Sequence, residues 1–150
     1  MPPEDKLLRV VLDTNVLFSA LAFPAESPPA KVFKLIVDGN ILAFSSPFIV
    51  AELENNLRTK AGWDEGQLQA LRRRLRPILK LVVPKSRFSV IKRIEADNRM
   101  LECAVDAHAH VLITGNLKDI RPLGAFQGID ILTPREFLTR YVAKSASALP

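Results

Sequence analysis

RVVLDTNVLFSAL, residues 9–21, joins a short apolar run to an acid and then to a second apolar run. Val10, Val11 and Leu12 read as a strand covered on both faces, because a half-exposed strand alternates apolar with polar side chains. Asp13 ends that strand, and Thr14 and Asn15 lead into a helix-like pattern from Val16 to Phe23. In open α/β sheets the carboxyl ends of the strands are where ligands bind. Asp13 therefore reads either as a group that serves chemistry or as the cap of the following helix. The stretch alone leaves both open.

The same alternation continues outward. Strands are expected near 8–12, 41–45, 80–83, 111–113 and 129–132, and helices near 15–23, 29–38, 47–60, 65–79, 98–109 and 135–143. Such a succession predicts an α/β fold: a central, mostly parallel sheet of about five strands with helices on both faces. Ser46-Pro47 and Thr133-Pro134 each place a capping side chain before a proline in the first helical turn. Gly62 follows one helix, and Asp64 with Gln67 forms a capping-box pattern. Pro77 is expected to kink or end the helix that contains LRRRLRP.

The 150 residues suit one domain, with a core over about 8–140 and loose pieces at 1–6, at the link 23–29 and at 144–150. No apolar stretch reaches the ~18 residues that span a bilayer, and MPPEDK does not open like a signal peptide. The single cysteine, Cys103, excludes an internal disulfide and fits a reducing cytoplasm. Residues 58–99 hold 12 basic and 4 acidic side chains, while residues 1–57 hold 4 and 7. The net charge of +5 is thus concentrated in the middle third, a candidate surface for a polyanion. There Leu68, Leu71, Leu75 and Ile78 read as an inward helical stripe, with Arg72, Arg73, Arg76 and Lys80 on the other side. That basic row suits phosphate contacts or an acidic partner protein.

Asp13 has companions. SPFIVAELENNL puts Glu52 and Glu54 on the edges of one apolar stripe, and periodicity does not choose between them. DNRMLECAVDAHAHVLITGNLKDI places Asp97 at a helix start and then, after a strand, Asn116 and Asp119 in a short loop. Each acid singly reads as a cap or a solvated side chain. Together they form a carboxylate cluster, which repels itself unless a hard divalent cation such as Mg²⁺ resolves the repulsion. Such a site activates water and stabilises in-line phosphoryl displacement.

With these residues in view, the chain from about 8 to 140 resembles a PIN domain, most closely the prokaryotic subgroup of toxin components of toxin–antitoxin systems. VVLDTNVLFSAL, SPFIVAELENNL, DNRMLECAVDAHAHVLITGNLKDI and GIDILTPREFL carry the resemblance, in that order. It implies a three-layer α/β/α PIN-like fold. It matches Asp13, Glu52 (rather than Glu54) and Asp97 to the family's metal-binding acids, and Thr14, Asn15 and Thr114 to positions that orient them. It also implies a Mg²⁺- or Mn²⁺-dependent ribonuclease, an RNA substrate, an antitoxin partner and a homodimer. Many members read T/S-G-D where this chain reads Thr114-Gly115-Asn116. Asn116 thus stands at the fourth catalytic position with a neutral oxygen, and Asp119 is the candidate for a compensating fourth acid.

The runner-up is a non-catalytic RNA-binding or regulatory protein on the same fold, which the exchange at Asn116 favours. A haloacid-dehalogenase-like phosphatase needs a second Asp where Asn15 stands. A response-regulator receiver needs an acidic pair at the first strand. Cys103, His108 and His110 do not converge as zinc ligands, since one helix-to-strand segment spreads them apart. Phe18, Phe23, Phe33, Phe44 and Phe48 read as core.

Overall fold

The computed structural model describes residues 6–23, 26–90 and 95–142. Apart from Lys6, the expected loose ends at 1–6 and 144–150 lie outside these residues. Six strands form one sheet: β1 (Arg9–Leu12), β2 (Leu42–Ser45), β3 (Leu79–Leu81), β4 (Val111–Ile113), β5 (Ala125–Phe126) and β6 (Ile129–Leu132). Their order is β3-β2-β1-β4-β6-β5, parallel throughout except for β5. Val10 and Val11 of β1, Val111 to Ile113 of β4 and Ile131 of β6 are fully buried, as a sheet covered on both faces requires.

The helices are α1 (Thr14–Ala22), α2 (Pro28–Val37), α3 (Pro47–Ala61), α4 (Glu65–Leu75), α5 (Glu95–Asp106) and α6 (Pro134–Phe137), the last running on as a π-helical turn to Val142. α1 to α4 lie in crossovers that step outward from β1 to β3. α5 lies in the crossover that returns past β1 to β4, and it packs on β1, β2 and β4. Right-handed crossovers put the two sets on opposite faces, which gives the three-layer α/β/α arrangement.

Local chemistry sets the boundaries. Ser46 Oγ caps α3 through the Ile49 N–H at 3.2 Å, and Gly62 closes it at φ 71°, a left-handed conformation that glycine adopts freely. The reciprocal capping box of Asp64 and Gln67 opens α4, and a second, of Thr133 and Glu136, opens α6. α4 stops at Leu75 rather than near residue 79, because Pro77 has no N–H to continue the ladder. The Arg72–Lys80 row therefore does not persist on one helix: Arg76 is the C-cap and Lys80 belongs to β3. The expected helix over 98–109 ends at Asp106, and His108 lies beyond it at φ 53°. β5 was not anticipated; it pairs with β6 across Gln127 and Gly128, both at positive φ, as a two-residue hairpin turn requires.

The core joins the sheet to Leu53 and Leu57 of α3, Leu68, Leu71 and Leu75 of α4, and Leu101 of α5. Phe33 and Phe44 belong to it, with Arg74 and Arg9 lying over their rings. Phe18 is half-buried against it. Phe23 and Phe48 do not belong: they are 58% and 41% exposed. No helix among the described residues is long and apolar enough to cross a membrane.

From Val82 to Val90 the chain runs without regular structure, and carboxylates of α5 hold it. Asp106 accepts the backbone N–H groups of Lys85 and Ser86 and the Ser86 hydroxyl. Glu102, 2% exposed, accepts the Phe88 N–H at 2.9 Å and pairs with Arg99 at 2.8 Å. Removing Glu102 leaves the Phe88 N–H without its acceptor, while Arg99 keeps Glu95 at 2.9 Å. Glu102→Ala is accordingly expected to lower the unfolding free energy by about 1–3 kcal/mol in urea denaturation, the scale of an unsatisfied buried donor. An unchanged unfolding free energy would contradict this.

Candidate metal centre at the carboxyl edge of the sheet

β1 lies between β2 and β4, and the connections leave it in opposite directions. This is the switch point where an open α/β sheet leaves a crevice beyond the strands' carboxyl ends. Asp13 follows β1 there and Thr114 follows β4, both buried. The backbone holds them together, since the Asp13 N–H donates to the Ile113 carbonyl at 3.0 Å.

The two readings of Asp13 turn out to be compatible. Its Oδ1 accepts the Val16 N–H at 2.9 Å and caps α1. Its Oδ2 accepts the Thr114 hydroxyl. Burial pushes the Asp13 pKa up, and the hydrogen bonds from Thr114, Val16, Gly115 and Asn15 pull against that shift.

Thr114 passes the connection onward. Its Oγ1 accepts the Asn116 N–H at 2.9 Å, and the Asn116 side-chain amide donates to Asp97 Oδ2 at 3.1 Å. Asn116 Oδ1 accepts the N–H groups of Lys118 at 3.1 Å and Asp119 at 2.9 Å. The neutral oxygen expected to face a cation is thus taken up by the loop's own backbone. Asn116 acts here as a tether that points a donor at Asp97 and shapes the turn carrying Asp119.

Asp97 lies in the first turn of α5. Its pKa is pushed up to about 6, by burial first and then by the charges of Asp119, Asp13 and Glu52, with the Asn116 hydrogen bond opposing. Those causes bring the four acids into one electrostatic neighbourhood. Glu54 stands apart: Arg72 reaches it through Nε at 3.1 Å and a second nitrogen at 2.5 Å, and also binds Glu65 at 2.9 Å. Of the two glutamates on α3, only Glu52 faces the cluster electrostatically. Arg72 in turn is committed to protein carboxylates, contrary to its expected role in the phosphate-binding row. Arg73, Arg76 and Lys80 are exposed.

Among the described residues, two expected orienting residues do not orient an acid through their side chains. Thr14 Oγ1 is buried without a hydrogen-bond partner among the described residues, and Asn15 is exposed. Thr114 does orient Asp13. Among the described residues, no three His, Cys, Asp or Glu side chains sit close enough to enclose a metal ion in this conformation. The donor set nevertheless suits a hard dication: it is all oxygen, and among those residues no arginine forms an ion pair with Asp13, Glu52, Asp97 or Asp119. His108 is exposed, and His110 Nδ1 accepts the Arg9 N–H at 2.9 Å, so neither joins the acids.

The raised pKa values fix a pH dependence. A carboxyl whose folded pKa exceeds its unfolded value binds more protons when folded, so stability falls as pH rises between the two. For Asp97 that window runs from its ordinary 3.8 to about 6, and Asp13 shifts in the same direction. Glu136, held down to about 2 by Arg121, works the other way and destabilises the fold in stronger acid. Metal-free protein should therefore melt higher at about pH 5 than at about pH 7. Asp97→Asn should raise the melting temperature at the higher pH and shrink the difference. A wild type and variant with the same pH profile would show that Asp97 carries no such strain.

The PIN domain family matches residues 9–118. An uncharacterized protein of Methanocaldococcus jannaschii is 30% identical over 146 residues, covering 89% of this chain and 92% of that protein. The matched span runs from the start of β1 to the Asn116 loop and so contains Asp13, Glu52, Asp97 and Thr114. The chain belongs to the PIN domain family, whose members are generally nucleases that use divalent metal ions.

Proposed function

We propose that this protein is a metal-dependent endoribonuclease that hydrolyses RNA phosphodiester bonds and serves as the toxin of a toxin–antitoxin pair in the cytoplasm. The observation that carries the nuclease reading is the electrostatic neighbourhood of Asp97 at the sheet's switch point, where Asp119, Asp13 and Glu52 each add to the upward push of burial on its pKa and no arginine of the described residues pairs with any of the four. In this reading Asp13, Glu52 and Asp97 hold Mg²⁺ or Mn²⁺, and Asp119 supplies the fourth carboxylate. The bound ion supplies activation of a water for in-line attack and neutralises charge on the phosphate. The protein's part is orientation. Thr114 and the α1 cap fix Asp13 by its two oxygens, and Asn116 keeps one oxygen of Asp97 hydrogen-bonded. The RNA substrate and the toxin role rest on the sequence resemblance; an antitoxin and a homodimer belong to the same reading.

A second reading, a non-catalytic RNA-binding protein, draws on one observation: an amide occupies position 116 and donates to Asp97. Asp13→Asn separates the two. Asparagine keeps a capping oxygen but removes the charge, so the fold is retained and metal-free stability holds or rises. Under the nuclease reading Mg²⁺-dependent cleavage of single-stranded RNA falls at least about 100-fold, the scale of losing a preorganised charge-stabilising group. Cleavage at the parent's rate would rule out the assignment, and no metal-dependent cleavage by the parent would favour the second reading.

The basic row is narrowed to Arg73, Arg76 and Lys80 as the candidate group for the RNA backbone. Changing Arg73 and Arg76 to Ala should weaken RNA binding and reduce the log–log salt slope by about 0.7 for each phosphate no longer neutralised. An unchanged slope would remove this surface from the RNA path.

A further inference from the structure

A second feature lies beside α1 and the loop after β4. An open cleft of about 460 Å³ is lined by Asn15 and Ser19 of α1, Pro28 and Pro29 of α2, Leu117 of the loop after β4, and Arg135 of α6. Its lining flanks residues of the candidate metal centre in sequence. Asn15 is two residues from Asp13, and Gly115, which also lines the cleft, adjoins Thr114. The volume falls within the roughly 300–1,000 Å³ of small-ligand sites.

The lining has a particular chemistry. Proline rings and the Leu117 side chain, 68% exposed, supply apolar walls. The Asn15 amide offers both a donor and an acceptor, and the Ser19 hydroxyl can do either. Arg135 is exposed and adds a positive charge at the same cleft. Asn15 is exposed, and among the described residues its side chain orients no acid, so its amide is open to a ligand. Single-stranded RNA is read by splaying a base out of the stack, holding it between apolar or aromatic surfaces, and hydrogen-bonding its edge.

We propose that this cleft is a nucleobase subsite, which takes the base beside the scissile phosphate while Arg135 meets a neighbouring phosphate. This deepens the nuclease reading and rests on it for the position of the phosphate. The cleft makes base identity at one position flanking the cut a determinant of cleavage. Asn15 reads the base edge, and the proline and leucine walls hold its faces.

The test titrates each of the four nucleoside 5′-monophosphates, and ribose 5-phosphate as the baseless control, into the full chain with Mg²⁺, followed by calorimetry or NMR. At least one nucleotide should bind tenfold or more tightly than ribose 5-phosphate. Leu117→Ala, at an exposed position, should reduce that preference at least threefold, and Ser19→Trp, which fills the cleft, should abolish it. Leu117→Ala should weaken ribose 5-phosphate far less than the preferred nucleotide, whereas Arg135→Ala should weaken nucleotide and sugar phosphate alike. Equal affinity for nucleotides and ribose 5-phosphate would overturn the proposal, as would a preference that survives both cleft variants or an absence of binding by every compound. Cleavage of RNA with an abasic residue stepped across the cut site separates the two readings. Uniform cleavage at every abasic position sinks the base subsite alone. Metal-dependent cleavage of no substrate, with nucleotide preference intact, sinks the nuclease reading alone.

Discussion

The Asp13 carboxylate ties three elements together, and the arrangement of the sheet's carboxyl edge depends on it. One oxygen caps α1 through Val16, and the other takes the Thr114 hydroxyl beyond β4. Because the side chain is 3% exposed, each hydrogen bond offsets part of the cost of burying a charge. Capping and chemistry are therefore not rival explanations of this residue. The cap holds the carboxylate at the point where the strand connections diverge, and from there the hydrogen-bonded path through Thr114 and Asn116 reaches Asp97.

Like-charge repulsion is the counterpart of that order. Burial first, and then Asp119, Asp13 and Glu52, raise the Asp97 pKa, and one amide hydrogen bond from Asn116 opposes them. Three glutamates elsewhere are neutralised by arginine: Glu54 by Arg72, Glu102 by Arg99, Glu136 by Arg121. Among the described residues no arginine pairs with Asp13, Glu52, Asp97 or Asp119, and that contrast gives the cluster its meaning.

Much of this was legible in the sequence because it is written locally. Caps at Ser46, Asp64 and Thr133, the apolar run before Asp13 and the alternation of elements depend on residues only a few positions apart. What escaped depends on distant partners or on weak signals. The hairpin strand β5 has two residues and turns on Gln-Gly, which lacks the Asn-Gly or Asp-Gly mark of such turns. Helical spacing could not separate Glu52 from Glu54, because the distinction lies in Arg72, 18 residues from Glu54. The oxygen of Asn116 was expected to be free, but whether a loop's own N–H groups claim it depends on the turn's conformation. Phe23 and Phe48 showed that an apolar residue at an element's end need not be buried.

The central claim is that the acids facing one another at the switch point form one divalent-cation site. Crystals soaked in Mn²⁺ and measured for anomalous scattering test it most directly. The account predicts a strong anomalous peak within coordination distance of Asp13 and Asp97, with Glu52 or Asp119 drawn toward it and Asn116 Oδ1 still bonded to its loop. No peak at this edge, or a peak only at unrelated surface carboxylates, would contradict it.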